Sequence, residues 1–153
     1  MSDFSDWKAP WQEKVFACMA ENAQHTYLFL TKRPEKIHCA TQLPNAWFGV
    51  TVTAQNEKNR ITQMVQHITA QKYFITFEPL FGPMGALELD KIGWVVIGTE
   101  TGNRKGKITA QKEWVLQIAA QAREKNIPVF MKKGLADIVG EENMLQQLPA
   151  EFR

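Results

Sequence analysis

A single α/β domain built on a parallel, five-stranded βα-repeat sheet is the fold the sequence predicts, and three observations predict it. Five β-branched or aromatic runs recur along the chain: TYLFL, WFGV, YFITF, GWVVIG and VFM. Segments of helical period lie between most of them. Each run also stops at a polar cluster: Thr31-Lys32-Arg33, Thr51-Val52-Thr53, Glu78-Pro79, Thr99-Glu100-Thr101-Gly102 and Lys132-Lys133-Gly134. Alternating strands and helices make a parallel sheet with right-handed crossovers, and ligands bind at the carboxyl ends of such strands. Two architectures fit, a partial TIM-like barrel or an open flavodoxin-like doubly wound sheet, and periodicity does not choose between them.

The elements follow in order. Trp11, Val15, Cys18, Met19 and Asn22 keep the three-and-four spacing of one helix face and predict a helix before TYLFL. Pro34, favoured at a first helical position, predicts a shorter helix through Ile37 and Cys39 to about Thr41, with Pro44 ending any continuation. After WFGV, the spacing of Ile61, Met64, Val65 and Ile68 predicts the next helix. YFITF then leads into a segment from Glu78 to Ile92 in which Pro79, Gly82, Pro83 and Gly85 forbid a regular helix. It reads as a long loop with one short turn near Leu87 to Lys91. Past GWVVIG, Trp114, Val115, Ile118, Ala119 and Ala122 mark a further helix, and after VFM the tail GEENMLQQLPAEF reads as one last helix. No linker, repeat or domain boundary interrupts residues 1–153.

Composition bounds the function. With 44% hydrophobic and 22% charged residues, the 153-residue chain is ordinary globular material with enough length for one core. A net charge of +2 is too mild to indicate nucleic acid. Cys18 and Cys39 suggest no disulfide framework and fit a reducing cytoplasm, and the three histidines show no metal-ligand spacing, so the expectation is no bound metal. No run approaches the roughly 18 apolar residues of a membrane span, and the N-terminus lacks the order of a secretory signal, so no membrane partner is expected.

The polar strand ends are the candidate site. Lys32 and Arg33 precede the predicted Pro34 helix start, where unpaired N–H groups favour an anion; alternatively they are solvated or paired with Glu35 or a strand-end acid. Glu78 is held before Pro79 in extended geometry, and Glu100 stands in the equivalent place one strand on. Two such carboxylates serve as acid and base, bind a metal, hold a ligand ammonium or hydroxyl, or pair with Lys32, Arg33 or Lys132 without function. Thr51 and Thr53 offer hydroxyls near the next helix start, where capping is the simpler use. The glycine-rich stretch from Gly98 to Gly106 is neither a Walker loop nor a dinucleotide fingerprint. The five tryptophans read as core or helix-face residues, and no Ser-His-Asp or Cys-His arrangement is visible.

In order and spacing, YLFLTKRPEKI, LPNAWFGVTVTAQNEKNRI, YFITFEPLFGPM, GWVVIGTETGNRKGK and PVFMKKGL resemble the carboxyl-terminal part of the phage-associated gene-product 37/68 family, domain of unknown function 5131. The resemblance covers nearly the whole chain. It implies a partial β/α barrel similar to radical S-adenosylmethionine enzymes, whose longer members carry a cysteine-rich N-terminal region suited to an iron–sulfur cluster. That region is absent here, and two distant cysteines do not hold a cluster. Carried over by position, Lys32, Arg33, Thr53, Glu78, Glu100 and Lys132 would line the barrel mouth, with S-adenosylmethionine as a candidate ligand; the second lysine at Lys133-Gly134 departs from relatives that tend to carry small polar or acidic residues there. The implied role is the ligand-binding part of a radical-SAM-like barrel, inactive alone. Two alternatives stay open: a small cluster-independent nucleotide-binding protein or enzyme, and an interaction module completed as a homodimer or by an N-terminal partner polypeptide.

Overall fold

In the computed structural model, which describes residues 3–152, five parallel strands form one sheet. The chain runs through α1 (Ala9–Glu21), β1 (Tyr27–Thr31), β2 (Cys39–Ala40), β3 (Ala46–Thr51), α2 (Asn59–His67), β4 (Ile68–Thr69), β5 (Lys72–Phe77), β6 (Ile92–Ile97), α3 (Lys112–Glu124), β7 (Val129–Met131) and the short α4 (Ala136–Val139). The main sheet has the order β1-β3-β5-β6-β7, while β2 and β4 pair in parallel as a separate two-stranded sheet. The sheet does not close on itself. Among the described residues, no helix is long and apolar enough to cross a membrane.

Side chains alternate between the two faces, and the faces are covered differently. On one face Phe29, Phe48, Val50, Ile75, Phe77, Val95, Ile97, Val129 and Met131 join the main core. There they meet Met19 of α1, Ile61 and Met64 of α2, and Val115 and Ile118 of α3. Phe4, Phe29 and Phe48 pack ring on ring at the heart of this layer, with centroids 5.0 to 5.7 Å apart. The opposite face carries a second cluster of Trp47, Phe74, Trp94 and Val96, flanked by Phe130 and Phe152. Glycine makes room for two of its rings. A Cβ on Gly49 would overlap the Phe74 ring, and one on Gly93 would come within 3.1 Å of Trp47.

Among the described residues, no α-helix packs on the second cluster; the C-terminal tail covers it. Gln146 forms an antiparallel bridge with Phe130, Leu145 O accepts from Met131 N at 2.6 Å, and Gln147 N donates to Val129 O at 2.9 Å. The tail therefore occupies the outer edge of β7. Phe152 then packs edge-on against Trp47 and Trp94, at 5.2 and 5.1 Å between centroids, and Trp94 Nε1 donates to Gln147 O.

Three expectations from the sequence are corrected. The helix expected from Pro34 to Thr41 is a single 3₁₀ turn, Pro34–Lys36, because the next residues are drawn into pairing with β4. The tail is not a helix: its pairing with β7 satisfies the backbone instead, leaving 3₁₀ turns at Glu141–Asn143 and Ala150–Phe152. On α1 the buried stripe is rotated, with Met19 fully buried, Val15 and Phe16 packed against the core, and Trp11 and Cys18 exposed. The Glu78–Ile92 segment is a loop as expected, with a turn at Asp90-Lys91. It is pinned rather than loose, since Leu80 and Met84 are fully buried and Gln121 bonds both Gly85 O and Leu87 N.

Candidate functional site

The carboxyl ends of the parallel strands lie along one rim, and the structure brings two of the six predicted residues into direct contact. Glu78 follows β5 and Lys132 follows β7, with β6 between them. Their side chains meet across the end of β6, Lys132 Nζ to Glu78 Oε2 at 2.5 Å. The crossing needs Gly98, because a Cβ there would sit 2.9 to 3.0 Å from the Glu78 Cγ, carboxyl carbon and Oε1. Both partners keep solvent contact, with side chains 30% exposed for Glu78 and 49% for Lys132. A half-exposed pair of this kind is worth about 0–1 kcal/mol, so exchanging it for another partner costs little.

Glu100 is committed elsewhere. Arg104 Nε and Nη2 donate to its two oxygens at 2.6 and 2.9 Å, and Ile108 N donates at 3.1 Å. The Arg104 hydrogen bonds, then the one from Ile108, hold the Glu100 carboxyl down to about 2. Its charge is thus spent on ordering the 100–108 loop. Thr99 Oγ1 accepts from Ala110 N and ties down the far end of the same loop.

Thr53 is also occupied, its N–H and hydroxyl both donating to Glu57 Oε2 at 2.8 and 2.9 Å. Glu57 pairs with Arg60 at 2.7 Å, and Arg60 reaches back to Thr51 O. Burial alone would raise the Glu57 pKa; the two Thr53 bonds and Arg60 outweigh it, and the carboxyl is held below its ordinary value.

Lys32 and Arg33 stand at the opposite end of the rim, beside the N-terminal segment. Asp3 accepts from Thr31 Oγ1 at 2.6 Å, Lys32 N at 3.0 Å and Ser5 N at 2.9 Å, while Asp6 pairs with Arg33 at 2.6 Å. Burial would raise the Asp3 pKa, but these donors win and it is lowered. Only one 3₁₀ turn follows Arg33, too short to present a helix dipole to an anion at this point. The Lys32 ammonium has no ion-pair partner among the described residues, and Lys32 lines a groove of about 640 Å³ beside β1 together with Trp7, Leu28, Phe29, Leu30 and Thr51.

Sequence reading missed the partners of these residues. Arg104 and Arg60 lie four and three residues from their acids, a spacing that signals ion pairs. Asp3 and Asp6 left no such signal, because they meet β1 only through the fold. Of the two free thiols, Cys18 is exposed on α1, and burial pushes the Cys39 thiol in β2 up to about 11. Among the described residues, no three His, Cys, Asp or Glu side chains converge to hold a metal.

Residues 1–143 match a protein family described as "Protein of unknown function (DUF5131)". No curated protein and no solved structure matches the chain.

Proposed function

Since the chain belongs to this family of unknown function, we propose from the rim geometry that it is the ligand-binding part of a radical-SAM-like β/α barrel, acting on a small zwitterionic or nucleotide ligand at Glu78 and Lys132 and inactive without a redox partner. The observation that carries the reading is the exposed Glu78–Lys132 pair, bridged over Gly98 at the strand ends. A ligand ammonium takes the place of Lys132 against Glu78, and its carboxylate takes the place of Glu78 against Lys132. S-adenosylmethionine carries both groups. Exchange of one weak pair for two is favourable where a locked acid such as Glu100 would resist. The barrel reading over the flavodoxin-like one is supported by the strand order β1-β3-β5-β6-β7, which never reverses, and by helices packed on one face alone. The two unpaired thiols suit the cytoplasm we propose for it.

Calorimetric titration of the chain with S-adenosylmethionine, S-adenosylhomocysteine, adenosine and methionine tests this. Saturable binding of a compound bearing the amino-acid group, weakened at least about tenfold in Glu78→Gln and Lys132→Met, is expected from the loss of a charge-assisted bond. Equal binding by the variants, or none by any compound, overturns it.

A second reading, an interaction module completed by another polypeptide or a second copy, rests on β1. This edge strand exposes Leu28 (48%) and Leu30 (41%) along the groove. Unpaired, apolar edges accept further strands. Sedimentation across a hundredfold concentration range gives an associating species if this holds, and a monomer throughout if it does not.

A further inference from the structure

We propose that His38 and His67 form a two-imidazole site for a divalent transition-metal ion at the small β2–β4 sheet. The two residues are far apart in sequence, and the register joins them. Cys39 pairs with Ile68, so the residues just before each strand, His38 and the last residue of α2, His67, become neighbours. Their ring centroids lie 4.9 Å apart with planes at 41°. With each nitrogen about 2.0–2.1 Å from an ion and each ring centre roughly 1.2 Å behind it, this separation subtends roughly 100° at the ion. That angle lies between tetragonal and tetrahedral geometry, the range of copper, nickel and zinc.

A second, independent observation concerns His67 itself. Its Nδ1 is buried and has no hydrogen-bond partner. An imidazole nitrogen left this way loses its water without compensation, and a metal ion would use the lone pair. His38 is exposed, so its ring is free to turn toward the ion and the remaining coordination positions are open to water. The donors are two nitrogens with no third side chain among the described residues, which selects borderline metals over calcium or magnesium. Such an ion would clip the end of α2 to the start of β2 and favour the folded chain by mass action.

The test is calorimetric titration of untagged, full-length chain with Ni²⁺ alone, with circular dichroism as a check on folding. One-to-one binding is expected, weakened at least about tenfold in His38→Ala, whose side chain is exposed, and in His67→Gln. His25→Ala, which alters the third histidine, should bind as the parent does. Cu²⁺ electron paramagnetic resonance should show two coordinating nitrogens, falling to one in His38→Ala. No saturable Ni²⁺ binding, binding unchanged in folded His38→Ala, or equal loss in His25→Ala overturns the proposal.

Discussion

At the β7 edge the chain folds back to pair with itself, whereas at the β1 edge it places a few polar groups near the strand end and leaves the rest open. Tail residues 145–147 take the outer hydrogen bonds of β7, and Phe152 seals the two tryptophans behind it. Along β1, Asp3 and Asp6 hold Thr31, Lys32 and Arg33, but Leu28 and Leu30 stay exposed. One edge is finished by backbone pairing together with apolar burial, the other only near its end by hydrogen bonds and an ion pair. Growth of the sheet is therefore blocked on one side and allowed on the other.

The largest expected effect comes from the face that the tail covers. Gly49→Ala forces Phe74 out of its place, an overpacking that should cost about 3 kcal/mol in urea unfolding. In Phe74→Leu the penalty should shrink, since the two sites touch and are not additive. Phe152→Ala removes two ring contacts from a half-buried position and should cost about 2 kcal/mol while increasing the exposure of Trp47 and Trp94 to fluorescence quenchers. If it costs nothing, the two edges are equally open and the contrast fails.

At the β1 edge the effects are smaller. Asp3→Ala should cost about 1 kcal/mol, the worth of a lost cap. The pH dependence has a defined sign. The folded pKa values of Asp3, Glu57 and Glu100 are all lowered, so their stabilisation is fully present above the unfolded values of 3.8 for Asp and 4.5 for Glu. It is lost as pH falls through the folded values, which for Glu100 means down to about 2. Denaturation midpoints measured between pH 6 and 2 should fall over this window, less steeply in Asp3→Asn. Smallest of all, Leu28→Lys should change stability by no more than about 0.5 kcal/mol, being exposed, while abolishing any concentration-dependent association.

The same contrast explains what could be read in the sequence. The five strands were legible because β-branched and aromatic runs and their polar ends are local signals. The helix expected after Pro34 failed against a nonlocal one, the pairing of Cys39 with Ile68. The tail's helical reading failed for the same reason, since only the fold reveals that β7 has an edge needing partners. On α1, Phe16 rather than Cys18 packs inward because Phe4, Phe29 and Phe48, distant in sequence, gather there. The rim residues were likewise visible as strand ends, whereas which acid is locked and which is exchangeable depended on Arg104 and Gly98.

Gly98 constrains how this protein can diverge. Any side chain there displaces the Glu78 carboxylate and with it Lys132. A descendant that replaces this glycine must shorten or lose the acid at the preceding strand end, so the three positions should drift together or not at all. Glycine at 98 with a neutral residue at 78 would mark a lineage that has abandoned the rim pair while keeping the fold.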